Sequence, residues 1–82
     1  MLIEFDLPRE REDFLYVRRQ IIYALERWAF EHNLNFQQKT AKYTHRVCFD
    51  DDAYYSFFAM SWQPPPHIKN YSNYRIVVNR NN

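Results

Sequence analysis

The stretch REREDFLYVRRQIIYALERWAFEHN, residues 9–33, decides how this chain folds. Phe14, Val17, Ile21, Ala24, Leu25 and Trp28 recur at intervals of three and four, the period of a helix with one buried side, and Leu15, Ile22 and Ala29 widen that stripe. Asp6-Leu7-Pro8 reads as the helix start, since Asp caps well and Pro is tolerated in the first turn. Glu10, Glu12 and Asp13 near that end suit the helix dipole. His32-Asn33-Leu34-Asn35 ends the helix, with Asn in the role that glycine usually fills at a C-terminus. At 100° per residue, Tyr16, Tyr23 and Phe30 fall at nearly one angle, opposite the centre of the core stripe. They form a second aromatic ridge, spaced by seven, and are expected to be the packing surface for another copy of the chain. The helix charges, Arg9, Arg11, Arg18, Arg19 and Arg27 against Glu10, Glu12, Asp13, Glu26 and Glu31, read as a mixed solvated face.

Before the helix, Ile3, Phe5 and Leu7 alternate with Glu4 and Asp6, the pattern of a short strand. After it, Tyr43, His45, Val47 and Phe49 alternate with Thr44, Arg46 and Cys48. Asp50-Asp51-Asp52 then reads as the loop of a β-hairpin whose second strand is Ala53 to Trp62. Gln63 to Asn73, with Pro64-Pro65-Pro66, is a connecting loop, because consecutive prolines cannot continue a strand ladder. Tyr74 to Asn79 reads as the last strand and Arg80-Asn81-Asn82 as a polar tail.

The expected fold is α+β and two-layered: one long helix packed on a three- to four-stranded, mostly antiparallel sheet in the order β-α-β-β-β, forming a single small domain over 1–82. Ile3, Phe5, Val47, Phe49, Tyr55, Phe57, Ala59, Ile76 and Val78 would face the helix. The opposite sheet face would stay open unless a partner closed it.

Composition narrows the function classes. The 82 residues carry a net charge of +1, 7 Phe, 7 Tyr and 2 Trp, and no glycine. Without glycine there is no phosphate-cradling loop, dinucleotide fingerprint, nucleophile elbow or EF-hand loop. The longest apolar run, Ile21 to Leu25, is far short of the roughly 20 residues that span a bilayer, so no membrane partner is expected. Met1 to Asp6 does not read as a secretory signal, and the one cysteine, Cys48, allows no intrachain disulfide; a cytoplasmic setting is expected. A core this small rarely supplies more than about 3–5 kcal/mol, and the aromatic excess fits a protein covered by a partner or a second copy.

On the open sheet face the expected alternation gathers Arg46, Phe58, Met60, Trp62 and Arg75. Rings that stack on bases beside cations that meet phosphate would suit single-stranded nucleic acid, although a net charge of +1 supplies little electrostatic drive. His45 and Cys48 are three apart in one strand and point to opposite faces, so they cannot pair as base and nucleophile. The Asp50 to Asp52 triplet reads as a solvated turn, and His32, His45 and His67 lack metal-ligand spacing. No catalytic residue, metal ligand or cofactor site is therefore expected. The sequence points to a non-catalytic, homo-oligomeric binding or regulatory module using Tyr16, Tyr23 and Phe30. The alternatives are a single-stranded nucleic-acid binder on the sheet face, and a small enzyme or ligand carrier with an aromatic pocket between sheet and helix.

Overall fold

A computed structural model describes residues 1–78, and the backbone alone of Arg11 and Glu12. Along the chain lie β1 (Leu2–Asp6), α1 (Arg11–Glu31), β2 (Phe36–Thr40), β3 (Thr44–Phe49), α2 (Ala53–Ser61), a 3₁₀ segment (Pro66–Tyr71) and β4 (Tyr74–Val77). The α+β class, the two layers and the long helix are as expected from the sequence. The order is β-α-β-β-α-β, because Ala53 to Ser61 is helical.

The strands form one antiparallel sheet in the order β2-β3-β1-β4. β1 and β2 therefore run parallel with β3 between them, and α1 is the crossover. Both helices lie on one sheet face, and the molecule is thin, 33 × 31 × 17 Å. Ile3, Phe5, Val47 and Phe49 point into the core, where they meet Val17, Ile21, Leu25, Trp28 and Ala29 of α1 and Tyr55 and Phe58 of α2. Trp62 and Ile68 complete it.

α1 starts later than Asp6-Leu7-Pro8 suggests. Asp6 belongs to β1, Leu7 N–H extends the ladder to Tyr43 O at 2.9 Å, and Glu10 occupies the N-cap without a side-chain bond. The helix ends as expected. Asn33 takes the left-handed conformation at φ 57°, Leu34 N–H reaches back to Ala29 O at 2.8 Å and Asn33 N–H to Phe30 O at 3.2 Å. These two bonds close the helix as a Schellman motif with Asn in place of glycine.

The hairpin differs from the expectation. Its strands are β2 and β3, its loop is residues 41–43, and the polar run Phe36–Thr40 is an edge strand. The acidic triplet starts α2 instead: Asp51 Oδ1 accepts from Ala53 N–H at 2.9 Å, and Tyr54 N–H bonds Asp51 O at 3.0 Å. The buried aromatics after it, Tyr55, Phe58 and Trp62, are spaced by three and four, which is the helical period. Consequently Phe57 and Ala59 belong to α2 and not to a strand; Ala59 is exposed, whereas Phe57, on the side toward α1, packs its ring against Trp28 and His32 with centroids 5.5 and 4.8 Å apart. The Tyr55 hydroxyl fixes α2 to the sheet by accepting from Phe49 N–H at 2.9 Å and donating to Met1 O at 2.7 Å. Burial raises its pKa.

In β4, Ile76 stands opposite Ile3 on the inner face, but at the sheet edge neither helix fully covers it, and Val78 beyond it is exposed. Asn79 and the tail fall outside the described residues.

Candidate functional site

Because α1 sets Val17, Ile21, Leu25 and Trp28 on the sheet, the helical period aims residues 180° away from these at solvent. Those residues are Leu15, Tyr16, Arg19, Ile22, Tyr23, Glu26 and Phe30. Leu15 and Tyr16 are about half exposed, Tyr23 is 59% exposed and Phe30 is 86% exposed. The three ridge residues expected from the sequence thus share one outward surface. Leu15 and Ile22, which the sequence pattern assigned to the core stripe, belong to this surface instead. Leu15, Arg18, Arg19, Ile22 and Tyr23 line a shallow hollow of about 300 Å³ on it. Tyr16 also packs against the His67 ring, with centroids 6.1 Å apart.

Beside this surface runs a groove of about 540 Å³ between α1 and residues 61–67. Tyr23, Trp28 and Trp62 with the three prolines form its walls. Arg27 and Glu31 stand at its rim 3.8 Å apart, and Trp28 Nε1–H donates to Ser61 Oγ at 2.9 Å. The sequence allows an aromatic pocket between sheet and helix, and the rings of that region are packed on one another. Phe5, Phe49, Phe58 and Trp62 fill that region ring against ring, with centroids 5.0 to 6.4 Å apart among them and their aromatic neighbours.

The open sheet face carries the transverse row Lys39, Arg46, Glu4 and Arg75, set side by side by the strand register. Glu4 sits at its centre. It accepts from Arg46 Nε at 2.8 Å and pairs with Arg75, which also bonds Asp6. The Asp6 contact is the largest cause that raises the Arg75 pKa. Of the five residues expected together on this face, Arg46 and Arg75 are there. Phe58 is fully buried in the core, Trp62 is buried at the end of α2, and Met60 is on the outer side of α2. The helical conformation of Ala53 to Ser61 is what separates the rings from the arginines.

His45 and Cys48 point to opposite faces of β3, as expected. Cys48 is exposed, whereas His45 is 1% exposed on the core side. The His45 Nε2 bonds Gln38 Oε1 at 2.6 Å, and Nδ1 is buried with no partner. Burial first, and the Arg18 guanidinium second, push the imidazole pKa down to about 4. His45 is therefore neutral at physiological pH. Among the described residues no three His, Cys, Asp or Glu side chains gather as a metal site.

The outward face of α1 is an extended apolar surface, and Leu15 and Ile22 are the parts of it that sequence reasoning placed elsewhere. Arg19 and Glu26, expected on a solvated face, are exposed, and their helical angle places them between the two apolar rows. No known protein family, curated protein or solved structure matches this chain.

Proposed function

We propose that this protein is a small non-catalytic module that acts by self-association through the outward face of α1. One observation carries this reading: a surface helix presents Leu15, Tyr16, Tyr23 and Phe30 on the side directed away from its own core. A solvent-facing helix side is ordinarily polar, and contiguous exposed apolar surface marks a contact surface. Aromatic rings are the residues that contribute most at such contacts. The polar sheet face, by contrast, has its central carboxylate and both arginines already paired.

Light scattering after size exclusion tests the reading. The native chain should run as a dimer or higher oligomer, and Tyr23→Glu should run as a folded monomer with an unchanged far-ultraviolet dichroism spectrum. A native chain that stays monomeric over the accessible concentration range would remove the reading. Single-stranded nucleic acid is the alternative partner, through Arg46 and Arg75. Its support is weaker, because Glu4 and Asp6 hold both guanidiniums and the rings that would stack on bases are in the core. Excess absorbance at 260 nm in the same run, lost at high salt, would favour it.

A further inference from the structure

The inference concerns how the second copy docks, and it rests on the self-association reading above. We propose that two copies pair through α1 as an antiparallel, two-fold-symmetric helix pair centred between Ile22 and Tyr23, with Arg19 of each copy bonded to Glu26 of the other.

Two charges on this face stand in an apolar setting. Residues three and four apart are neighbours on a helix surface. The neighbours of Arg19 on α1 are Leu15, Tyr16, Ile22 and Tyr23; those of Glu26 are Ile22, Tyr23, Ala29 and Phe30. Each charge is therefore ringed by apolar side chains. Among the described residues neither has an ion-pair partner within the chain, whereas Arg27 and Glu31 on the flank are paired with each other. Seven residues separate Arg19 from Glu26, about 10 Å along the axis, so they do not reach each other within one helix.

Covering this surface would strand both charges unless the covering surface supplied the opposite sign at each point. A second copy supplies both. Antiparallel pairing about a two-fold axis between residues 22 and 23 sets Arg19 against Glu26 twice. The same midpoint brings Leu15 level with Phe30 and Ile22 level with Tyr23, so the most exposed ring of each copy lies within the span of the other helix. Parallel pairing would set Arg19 on Arg19 and Glu26 on Glu26, and like charges directly opposed disfavour a contact. The two apolar rows fit the same arrangement. Leu15 and Ile22 run along one flank of the charges and Tyr16, Tyr23 and Phe30 along the other, and a two-fold axis perpendicular to the helices keeps each flank on its own side, so Ile22 meets Ile22 of the second copy, Tyr23 meets Tyr23 and Tyr16 meets Phe30. Two-fold interfaces of this self-complementary kind are the commonest in homo-oligomers. Length also permits it: the 21 residues of α1 run about 31 Å, close to the full 33 Å extent of the molecule.

Charge reversal tests the register independently of the self-association. R19E and E26R, each measured alone by sedimentation equilibrium, should weaken the dimer by about tenfold or more, because every dimer exchanges two attractive pairs for two repulsive ones. The double variant R19E/E26R should recover native affinity. An equimolar mixture of the two single variants should form a heterodimer, in which every pair is again of opposite sign. A native dimer unaffected by R19E or E26R, or weakened by them without recovery in the double variant and the mixture, overturns the antiparallel register and leaves the self-association standing. A native monomer overturns both. All these side chains are exposed, so dichroism should report the same fold throughout.

Discussion

Acidification should destabilise this domain through His45, and the structure sets the size of the effect. The imidazole titrates at about 4 in the folded chain against 6.5 as a free side chain, a difference of about 2.5 units. The folded pKa is the lower one, so between these values the unfolded chain binds the proton and the native chain does not. Stability is then complete above pH 6.5, falls by about 1.4 kcal/mol per pH unit below it, and has lost about 3 kcal/mol near pH 4. Total stability for a domain of this length is on the order of 4–12 kcal/mol, so the loss should be plain in a denaturation curve. The physical cause is local: a protonated ring would carry an Nδ1–H donor with no acceptor, in a buried position near the Arg18 guanidinium. Urea unfolding followed by the fluorescence of buried Trp28 and Trp62, at pH 7.5 and 4.5, gives the change for the native chain and for His45→Leu. Protonation of carboxylates such as Glu4 and Asp6 affects both proteins alike and cancels in the difference. The native chain should lose about 2.5 kcal/mol more than the variant over this interval. Parallel loss in the two proteins would refute the reasoning.

Three further substitutions test the packing. Phe58→Ala should cost about 3–5 kcal/mol, while Phe30→Ala, made in the Tyr23→Glu background so that association makes no contribution, should change stability by less than about 0.5 kcal/mol; equal effects in urea titrations would contradict the placement of Phe58 inside and Phe30 outside. Tyr55→Phe should cost about 1–3 kcal/mol by leaving the buried Phe49 N–H without an acceptor, and a shift of its unfolding midpoint within experimental error would argue against the bond that ties α2 to β3.

The long helix, its Asn33 cap and the inward set of Ile3, Phe5, Val47 and Phe49 were all legible, because each depends on a local period or on the conformational preference of one residue. Ala53 to Trp62 was misread for a physical reason. Nearly every position in that run is apolar or aromatic, so the strand and helix periods both find buried residues, and the acidic triplet before it suits a hairpin loop as well as a helix start. Packing decides between them: the helical period sets Tyr55, Phe58 and Trp62 on one side, where they meet Phe49, Trp28 and Phe5 from elements distant in sequence. The same error moved Phe58 and Trp62 from the sheet surface into the core and emptied the expected nucleic-acid face of its rings. On α1 the wheel angle located Tyr16, Tyr23 and Phe30. Leu15 and Ile22 were drawn into the core stripe because the sequence does not say how wide a strip of helix the sheet covers.

The consequence of that width is where the unsatisfied surface lies. From the pattern alone, the bare sheet face looked like the side in need of a cover. In the folded chain the sheet face is polar and internally balanced, since Glu4 at the centre of β1 pairs with Arg46 on one neighbour strand and Arg75 on the other. Ion pairs of this exposure add little to stability, but they let the face meet water without a desolvation cost. The helix side has no such balance. A sheet only four strands wide, its edge strands short, supports one long helix along a narrow contact, and that contact hides the residues near Val17, Ile21 and Leu25 while leaving Leu15, Tyr23 and Phe30 in solvent. Burial of apolar area at about 25 cal/mol per Å² then favours contact on this side over the other, and the opposite charges at Arg19 and Glu26 determine which partner fits. The same narrowness that keeps the core small thus directs association to the back of α1.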